Sequence, residues 1–438
     1  MRRLVYGLGR SGLGVLGYLK HHGMAARFFD DSLKPEELTG AQSLGYTLDP
    51  DPSPGAYDQV IAAPGVPIQH PRLVALKQGG AEIIGEAELV FRHSLTPLIG
   101  ITGTAGKTSC TMFTGHFLRA LGFRAVEGGN IDPPLVSVVD GLPDPESDDP
   151  GLVQRPEVAV AEVSSFQLER VVHFHPRVAV LLMLGVDHLD RHGDLETYHA
   201  AKFNLIRNLT PEDALVYNAR DERIVAGIRG NPARLYPFEP ADNPRDTNLN
   251  AAVQTTLAYT HIVQREQPQR VFNPPPTETS LEAFRATAPR PEARYEVFAR
   301  IGELQFIDDS IATRIDAVRM ALEAAPAPIA WILGGVDKGA PIENLGDLVR
   351  HKVKLILAVG RDGPRMAEPF RDLVEVVEIG EPEGRKALEE AVVESRRRLL
   401  SGSVLLAPLA TSFDQFKDYK ERSKVFREVV FALGGIRG

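Results

Sequence analysis

Residues 97–108 read Pro-Leu-Ile-Gly-Ile-Thr-Gly-Thr-Ala-Gly-Lys-Thr, and this stretch decides how the rest of the chain is interpreted. Its first half is an apolar run typical of a buried strand, and a helical pattern follows its glycines. A glycine-rich turn between a strand and a helix exposes backbone N–H groups at the positive end of the helix dipole. Lys107 adds a cation, and Thr108 adds a hydroxyl suited to Mg²⁺. The stretch therefore predicts a phosphate-binding loop in a parallel α/β sheet.

Length and charge limit the kind of protein this can be. At 438 residues the chain is long enough for two to four domains of about 150 residues each. A formal net charge of -9 argues against a nucleic-acid partner, which usually meets a basic face. No apolar run reaches the roughly 18 residues of a membrane span, so we expect no membrane partner. The single cysteine, Cys110, excludes an internal disulfide and favours a cytoplasmic location.

Short apolar runs alternate with helical patterns along most of the chain. This alternation predicts parallel sheets covered by helices, which is the α/β fold class. Residues 140–156 are rich in proline and aspartate, which predicts an exposed loop. Residues 264–291 are also rich in proline, so they suit an interdomain linker, although part of them could be helical. The strand pattern resumes after residue 291, which predicts a further α/β domain.

A second glycine loop, residues 7–12, has the sequence Gly-Leu-Gly-Arg-Ser-Gly and follows a short apolar run. Its G-x-G-x-x-G spacing is typical of dinucleotide-binding proteins, and Asp30 and Asp31 come about twenty residues later. A nicotinamide or flavin dehydrogenase is therefore one interpretation. A nucleotide-diphosphate sugar is the other, because it offers the same pyrophosphate and ribose. The phosphate loop at residues 100–108 favours the sugar, since a simple dehydrogenase has no use for that loop.

Polar residues close two later apolar strand patterns. Glu162 lies near the end of the run 158–163, and another run leads into Val-Asp-His-Leu-Asp-Arg-His, residues 186–192. In parallel sheets, ligands gather at the carboxyl ends of strands. A carboxylate buried there needs a partner, which Mg²⁺ bridging ATP phosphates would supply. The alternatives are a helix-capping role for Glu162 and a solvated turn for Asp187 and His188.

Together these motifs resemble those of the Mur ligases of peptidoglycan synthesis. In the first half of the chain the resemblance rests on residues 63–66, 100–108, 128–131, 162–167, 187–192 and 200–202. In the second half it rests on residues 308–310, 333–338, 360–363 and 412–417. The last of these blocks, Ser-Phe-Asp-Gln-Phe-Lys, favours the D-glutamate-adding branch of the family.

The resemblance implies a three-domain protein. It would have an N-terminal Rossmann-like UDP-binding domain (1–92), a central P-loop ATPase-type parallel-sheet domain (93–291) and a C-terminal Rossmann-like, amino-acid-binding domain (292–438). It also implies an ATP-dependent ligase that joins D-glutamate to UDP-N-acetylmuramoyl-L-alanine through an acyl phosphate and releases ADP and phosphate. The implied cofactors are ATP, two Mg²⁺ ions and a carbamylated lysine at position 202. A cytoplasmic monomer is expected.

Matching positions give the implied site residues. The ATP-binding residues would be Gly103, Thr104, Gly106, Lys107, Thr108, Arg294 and Asp309. The UDP-sugar would contact Arg10, Ser11, Asp30, Pro64, Gly65, Asn130 and Ser164. D-Glutamate would contact Thr313, Lys338, Ser412 and Phe413. The metal ligands would be Thr108, Glu162, His188 and Lys202, and the catalytic residues Lys107, Lys202 and His188.

Several positions depart from the family pattern. Ala105 stands where asparagine is usual, and Ile311 stands where the closest relatives have lysine. The pair Asp31-Ser32 lacks an arginine expected on the uracil side, and residues 217–250 form a shorter stretch than expected. Two alternatives therefore stay open, namely a family ligase for a different amino acid and a catalytically weakened paralogue that binds a nucleotide sugar. From the residues alone, Lys202 would be a helix-surface lysine.

Overall fold

The computed structural model describes residues 1–141, 155–289, 293–337, 339 and 342–437, apart from the side chains of Asp190 and Asp316. The chain forms two compact units: the first contains Met1–Glu239 and Asn248–Ala288, and the second contains Pro240–Thr247 and Pro289–Gly438. Three sheets flanked by helices confirm the predicted α/β fold class. The domain boundaries at residues 92 and 291 stay a prediction.

The N-terminal sheet of the first unit has five parallel strands in the order β3-β2-β1-β4-β5. The strands are β1 (Arg3–Tyr6), β2 (Arg27–Phe29), β3 (Thr47–Leu48), β4 (Gln59–Ala62) and β5 (Glu82–Ile84). Its helices are α1 (Arg10–His21), α2 (Pro35–Ser43), α3 (Pro71–Gln78) and α4 (Glu86–His93). The strand order reverses between β1 and β4, so the loops after these strands diverge and leave a crevice for a ligand.

The second sheet of this unit has six parallel strands in the order β11-β10-β9-β6-β8-β7. The strands are β6 (Leu98–Thr102), β7 (Ala125–Gly129), β8 (Val158–Glu162), β9 (Val178–Leu181), β10 (Ala214–Asn218) and β11 (Arg234–Phe238). Its helices are α5 (Lys107–Ala120), α6 (Ser165–Leu168), α7 (Leu189–His192), α8 (Leu195–Phe203), α9 (Glu222–Gly227), α10 (Pro244–Glu266) and α11 (Glu278–Arg285). Ile101 pairs with Glu162, which puts this carboxylate beside the start of the phosphate loop.

The sheet of the second unit has seven strands in the order β16-β15-β14-β17-β13-β12-β18. The strands are β12 (Glu296–Ile301), β13 (Glu303–Asp308), β14 (Ile329–Gly334), β15 (Val353–Val359), β16 (Glu375–Glu378), β17 (Ser401–Leu406) and β18 (Ile436–Arg437). Its helices are α12 (Ile315–Ala324), α13 (Gly346–Lys352), α14 (Gly363–Ala367), α15 (Gly384–Arg398) and α16 (Tyr419–Ala432). Strands β13 to β17 are parallel, and β12 and β18 add an antiparallel edge.

The proline-rich stretch 264–291 is partly helical, as one interpretation had it. Helix α10 runs to Glu266 and α11 follows after an irregular segment. Leu281 of α11 is buried in the hydrophobic core of the first unit. The residues up to 288 therefore belong to that unit. The linker interpretation is wrong for them, because a linker would not bury an apolar side chain in the core of one unit.

The predicted exposed loop 140–156 lies mostly outside the described residues, of which only 140–141 and 155–156 belong to it. At its start, the side chain of Asp140 is only 6% exposed. It accepts hydrogen bonds from Ser94 at 2.7 Å, from Tyr18 at 3.1 Å and from Arg155 at 3.1 Å. These three donors satisfy the buried carboxylate of Asp140 and form a polar network with it.

No helix within the described ranges is both long enough and apolar enough to cross a bilayer.

Candidate active site

The phosphate loop joins β6 to α5 through two positions whose backbone conformation requires glycine. Gly103 and Gly106 have φ angles of 158° and 82°, which residues other than glycine rarely adopt. A Cβ atom on Gly106 would also lie 2.3 Å from the Asn248 Oδ1 atom. Gly106 is the N-cap of α5, so the loop leads directly into the positive end of a helix of fourteen residues. This geometry suits a phosphate cradle.

Lys107 folds back over this loop. Its Nζ atom donates to the carbonyl oxygens of Gly103, at 2.9 Å, and of Thr104, at 3.2 Å. The ammonium is therefore held against the loop, where it would neutralise phosphate oxygens.

Glu162 is buried beside the loop and has partners within the protein. The Thr108 hydroxyl donates to its Oε2 atom at 2.6 Å, and the Asn130 side-chain amide donates to its Oε1 atom at 2.8 Å. Two protein donors therefore already satisfy this buried carboxylate, and a metal ion as a further partner stays a prediction. The capping alternative is not needed, since the carboxylate contacts the phosphate loop.

Lys202 is buried, with 1% of its surface exposed, so the helix-surface interpretation is wrong. Its Nζ atom donates to the Gly103 carbonyl oxygen at 2.9 Å and lies 4.4 Å from the centre of the Tyr198 ring. The Tyr198 hydroxyl donates to Thr104 Oγ1 at 3.2 Å. Helix α8 thus brings both side chains to the phosphate loop, because their four-residue spacing puts them on one helical face.

His188 lies among aromatic side chains. Its ring centroid is 4.7 Å from that of Phe166 and 6.2 Å from that of Tyr198. Its Nε2 atom is 3.2 Å from the Asp187 carboxylate, and its backbone φ of 53° is in the left-handed region. A strained, half-buried histidine of this kind differs from the solvated turn that the sequence allowed, and it shares the Tyr198 ring with Lys202.

Two oxygen donors near the loop would suit a magnesium ion that also binds nucleotide phosphates. Within the described residues, no group of three or more His, Cys, Asp or Glu side chains converges as a metal site. Any Mg²⁺ here would therefore rely on hydroxyl and phosphate oxygens besides one carboxylate. The Thr108 hydroxyl and the Glu162 carboxylate supply such hard oxygen donors at the edge of the loop.

A cavity of about 470 Å³ opens at the carboxyl ends of β1 and β4. Most residues predicted for the UDP-sugar line it, namely Arg10, Ser11, Asp30, Pro64, Gly65 and Asn130. Ser164 is not among its lining residues; its hydroxyl caps α6 by accepting from the Gln167 N–H at 3.3 Å. Gln167 itself lines the cavity, so Ser164 contacts the cavity wall through this residue.

Asp30 and Ser11 are held by neighbours inside this cavity. Asp30 accepts hydrogen bonds from the backbone N–H groups of Leu8, at 2.6 Å, and Ser32, at 2.8 Å, which ties it to the first glycine loop. The Ser11 hydroxyl donates to Glu86 at 2.9 Å, and burial raises the pKa of Glu86. The sequence interpretation missed Glu86, because an acidic residue in the first turn of a helix is ordinary.

At the base of the same cavity, a hydrogen-bonded group was also missed. The Tyr6 hydroxyl donates to Asp31 at 2.5 Å and lies 2.9 Å from His70 Nδ1. Tyr6 read as a strand residue, and His70 lies in an irregular loop after β4, so no sequence pattern brought them together. Tyr6, Asp31 and His70 all line the cavity.

In the second unit, Asp309 follows β13 and is buried. Burial and, to a smaller extent, the negative charge of Asp308 raise the pKa of Asp309 to about 7. The hydrogen bond from the Tyr295 N–H, at 3.1 Å, and the positive charge of Arg294 both oppose this rise in the pKa. A carboxyl group near its midpoint at neutral pH can donate or accept a hydrogen bond. This suits a contact to sugar hydroxyls, with Arg294 as the nearby cation.

The residues predicted for D-glutamate lie in loops after adjacent strands of this unit. Thr313 follows β13, whereas Ser412 and Phe413 follow β17, and the Leu409 N–H joins the two loops by donating to the Ala312 carbonyl at 2.9 Å. Ser412 is buried, and Phe413 is 72% exposed. Lys338 lies outside the described residues.

One buried arginine was missed in this region. Arg422 of α16 donates to the carbonyl oxygens of Ser310, at 2.9 Å, and Ala410, at 3.1 Å. It thereby supports both loops, and burial lowers the pKa of its guanidinium to about 10. Its position in a helix near the C-terminus gave no signal of these contacts.

Comparison with known proteins places the chain in a family. A family model for the Mur ligase middle domain matches residues 101–271, and a model for the MurD-like N-terminal domain of Mur ligases matches residues 1–85. A Thermus thermophilus protein named UDP-N-acetylmuramoylalanine–D-glutamate ligase is 58% identical over 433 residues, which cover 99% of this chain and 98% of the relative. The chain belongs to the Mur ligase family. A Deinococcus radiodurans Mur ligase of the same name is 42% identical over 451 residues, with 99% and 93% covered.

Solved structures of Mur ligases share the fold. MurC from Thermotoga maritima, a UDP-N-acetylmuramate-alanine ligase, superposes with a TM-score of 0.53 at 18% identity, over 99% of this chain and 100% of that chain. MurF from Acinetobacter baumannii gives a TM-score of 0.56 at 16% identity and covers 83% and 88%. At these identities the likeness concerns the fold alone.

Proposed function

We propose that this Mur ligase adds D-glutamate to UDP-N-acetylmuramoyl-L-alanine, with conversion of ATP to ADP and phosphate, as a monomer in the cytoplasm. The observation that carries the proposal is the pair of lysines, Lys107 and Lys202, held 2.9 Å from one carbonyl oxygen of a phosphate loop. The 58% and 42% identical relatives, both named for this reaction, support the choice of substrates.

The reaction needs a carboxylate to become an electrophile. A carboxylate oxygen attacks the γ-phosphorus of ATP, the bond to the β-phosphate oxygen breaks, and ADP leaves. The amine of D-glutamate then attacks the acyl carbon, phosphate leaves with the bonding electrons, and the amine loses a proton. Both steps bring anions together, so Lys107 and the N-terminus of α5 would lower their cost by facing the phosphates.

The Thr108 hydroxyl and the Glu162 carboxylate would hold Mg²⁺ at the loop. When bound, the ion would neutralise charge on the phosphate oxygens. Asn130 donates to Glu162 and also lines the nucleotide-sugar cavity, so its amide would orient the carboxylate towards the loop. This arrangement assigns Asn130 a role on both sides of the site.

Lys202 and His188 would serve a second ion beside the first. Carbamylation of Lys202 would replace a buried cation by a group with oxygen donors, and the His188 imidazole would be a further ligand. The burial of Lys202 against the loop supports this proposal, because a surface lysine could not reach the phosphates.

The second unit would bind the remaining groups. Asp309 and Arg294 would contact the nucleotide, and Thr313, Lys338, Ser412 and Phe413 would contact D-glutamate. The loops after β13 and β17 support this assignment, because ligands in parallel sheets gather at strand carboxyl ends.

Phosphate release from ATP tests the whole proposal. The chain is incubated with Mg²⁺, ATP and UDP-N-acetylmuramoyl-L-alanine, with and without D-glutamate. We expect sustained release only when both co-substrates are present, and a product heavier by one glutamyl residue. Release with another amino acid but not with D-glutamate would point to a different family ligase. No release under any condition would leave only the weakened paralogue.

A further inference from the structure

An arginine that is not itself a lining residue donates hydrogen bonds to one wall of the nucleotide-sugar cavity. Pro64, Gly65 and Val66 line the cavity as a turn after β4. Arg191 Nη2 donates to the carbonyl oxygens of Pro64, at 3.0 Å, and Val66, at 2.9 Å. Its Nη1 atom donates to the Gly65 carbonyl at 3.4 Å. One guanidinium therefore fixes three successive carbonyl groups, which a lysine could not do because its ammonium is a single point of charge.

Neighbouring side chains keep this guanidinium in place. Arg191 lies 4.5 Å from the centre of the Phe166 ring, and its Nη2 atom is 3.8 Å from the Glu169 carboxylate. Arg170 is buried and also donates to the Val66 carbonyl, while its other terminal nitrogen donates to the Phe166 carbonyl at 2.9 Å. Aromatic, anionic and backbone contacts thus define one position for the Arg191 side chain.

The same arginine belongs to the helix that begins after His188. The Phe166 ring contacts both the Arg191 guanidinium and the His188 ring, the latter at 4.7 Å between centroids. The ring of His192, at the end of α7, is 5.3 Å from that of Tyr198. This four-residue helix therefore contacts the cavity wall through Arg191 and helix α8 through His192.

From α8 the contacts continue to the phosphate loop. The Tyr198 hydroxyl donates to Thr104 Oγ1 at 3.2 Å, and Thr104 Oγ1 also accepts from the Gly185 N–H at 2.9 Å. Packed side chains and hydrogen bonds thus run without a gap from the sugar-nucleotide cavity to the loop that would hold ATP. Such a contiguous network is a physical route by which two sites can be energetically coupled.

We propose that Arg191 is a positioning residue that couples the two ligand sites of the first unit. A sugar nucleotide bound against the 64–66 turn would favour the position of α7 described above, in which His192 packs on Tyr198 and Tyr198 contacts Thr104 of the phosphate loop. Linkage requires the converse, so a nucleotide at the loop would raise the affinity for the sugar by the same factor. This inference rests on the proposed function, since it assumes that the cavity binds UDP-N-acetylmuramoyl-L-alanine.

Calorimetric titration of the full chain measures this coupling directly. ADP with Mg²⁺ is titrated into the protein with and without saturating UDP-N-acetylmuramoyl-L-alanine, and the ratio of the two dissociation constants is the coupling. We expect a ratio of about five or more for the unaltered chain. For Arg191→Lys we expect a ratio within about twofold of one, although each ligand alone still binds, because charge is kept and the three-carbonyl contact is lost.

The matched control is Arg207→Lys. Arg207 also donates to a backbone carbonyl, that of Val171 at 2.7 Å, but Val171, unlike the carbonyl partners of Arg191, is not among the cavity-lining residues. It should keep the ratio of the unaltered chain. Phe166→Leu removes the ring between Arg191 and His188 and should lower the ratio as well, so it decides the matter if Arg191→Lys does not fold.

Each outcome has a distinct meaning. A ratio near one in the unaltered chain, with both ligands binding, would overturn the coupling but leave the proposed function intact. An unchanged ratio in folded Arg191→Lys would overturn the role of this residue. If UDP-N-acetylmuramoyl-L-alanine gives no heat of binding with any variant, the proposed function itself fails, and the coupling fails with it.

Discussion

The ammonium nitrogen of Lys202 lies 2.9 Å from the carbonyl oxygen of Gly103, and the Lys107 ammonium lies at the same distance from that oxygen. Two cations from different helices thus meet at Gly103 of the phosphate loop. Like charges so close together are costly unless an anion is also present. This pair therefore favours an anionic ligand at the loop, and the proposed carbamylation of Lys202 would remove the repulsion between the two lysines.

Lys202→Ala should remove most activity, by about 100-fold or more, because the group proposed to hold the second ion is lost. High bicarbonate should not restore the rate, since alanine cannot be carbamylated. Short carboxylic acids should restore part of it by supplying oxygen donors in the vacated space. Phosphate release measures this, and Lys77→Ala, which changes an exposed lysine, is the control. Near-normal turnover in Lys202→Ala would rule out the carbamate.

Lys107→Ala should lose turnover by about 100-fold or more while the protein stays folded. Its ammonium donates to the carbonyl oxygens of Gly103 and Thr104, which belong to the loop and not to a hydrophobic core. Circular dichroism melting should give an unfolding temperature close to that of the unaltered chain. A variant that is unfolded at room temperature would show that the lysine is structural.

Glu162→Gln should raise the Mg²⁺ concentration needed for half-maximal phosphate release by about tenfold. The amide oxygen can still accept a hydrogen bond from Thr108, so folding should be little affected, but the negative charge that attracts the ion is lost. Glu127→Gln, in the neighbouring strand β7, is the matched control, because Glu127 pairs with Arg119 at the surface. An unchanged Mg²⁺ requirement in Glu162→Gln would remove Glu162 from the metal site.

Asp309→Asn should change how stability depends on pH. The folded chain raises the pKa of Asp309 from its ordinary 3.8 to about 7, so the folded state holds more protons than the unfolded state between these values. The contribution of Asp309 to stability is therefore fully present below about pH 4 and is lost as the pH rises through 7. Thermal melts at pH 5 and pH 8 should show a drop in the unaltered chain that exceeds that of Asp309→Asn by several degrees. Parallel curves would contradict the raised pKa.

The sheets and the phosphate loop could be predicted because their signals are local. Buried parallel strands are continuous apolar runs, and the glycines of residues 103 and 106 occupy backbone angles that other residues rarely reach. Strand ends were less certain: the apolar run that leads into residues 186–192 continues to Leu184, but its strand ends at Leu181. The chain leaves the sheet there because residues 182–185 turn towards the phosphate loop, where the Met183 carbonyl accepts from the Thr104 N–H.

The contacts within the site could not be predicted, because they join residues far apart in the sequence. Nothing in the residues around Lys202 shows that it is buried, since its partner is the carbonyl of Gly103. Glu86 and Arg191 were missed for the same reason, because their partners, Ser11 in α1 and Pro64 after β4, are distant in the sequence. Only the family resemblance pointed to Lys202. The residues that contact the substrates stay predictions.

The assignment of residues 240–247 to the second unit has a practical consequence for dissecting this protein. The polypeptide changes unit at residues 239–240, 247–248 and 288–289, so no single cut separates the two units. A fragment that starts at residue 289 would lack Arg245, whose Nη1 atom donates to the Pro289 carbonyl at 3.1 Å. Expression of the C-terminal unit by itself therefore calls for a rearranged gene in which the 240–247 peptide is joined to the rest by a short connector.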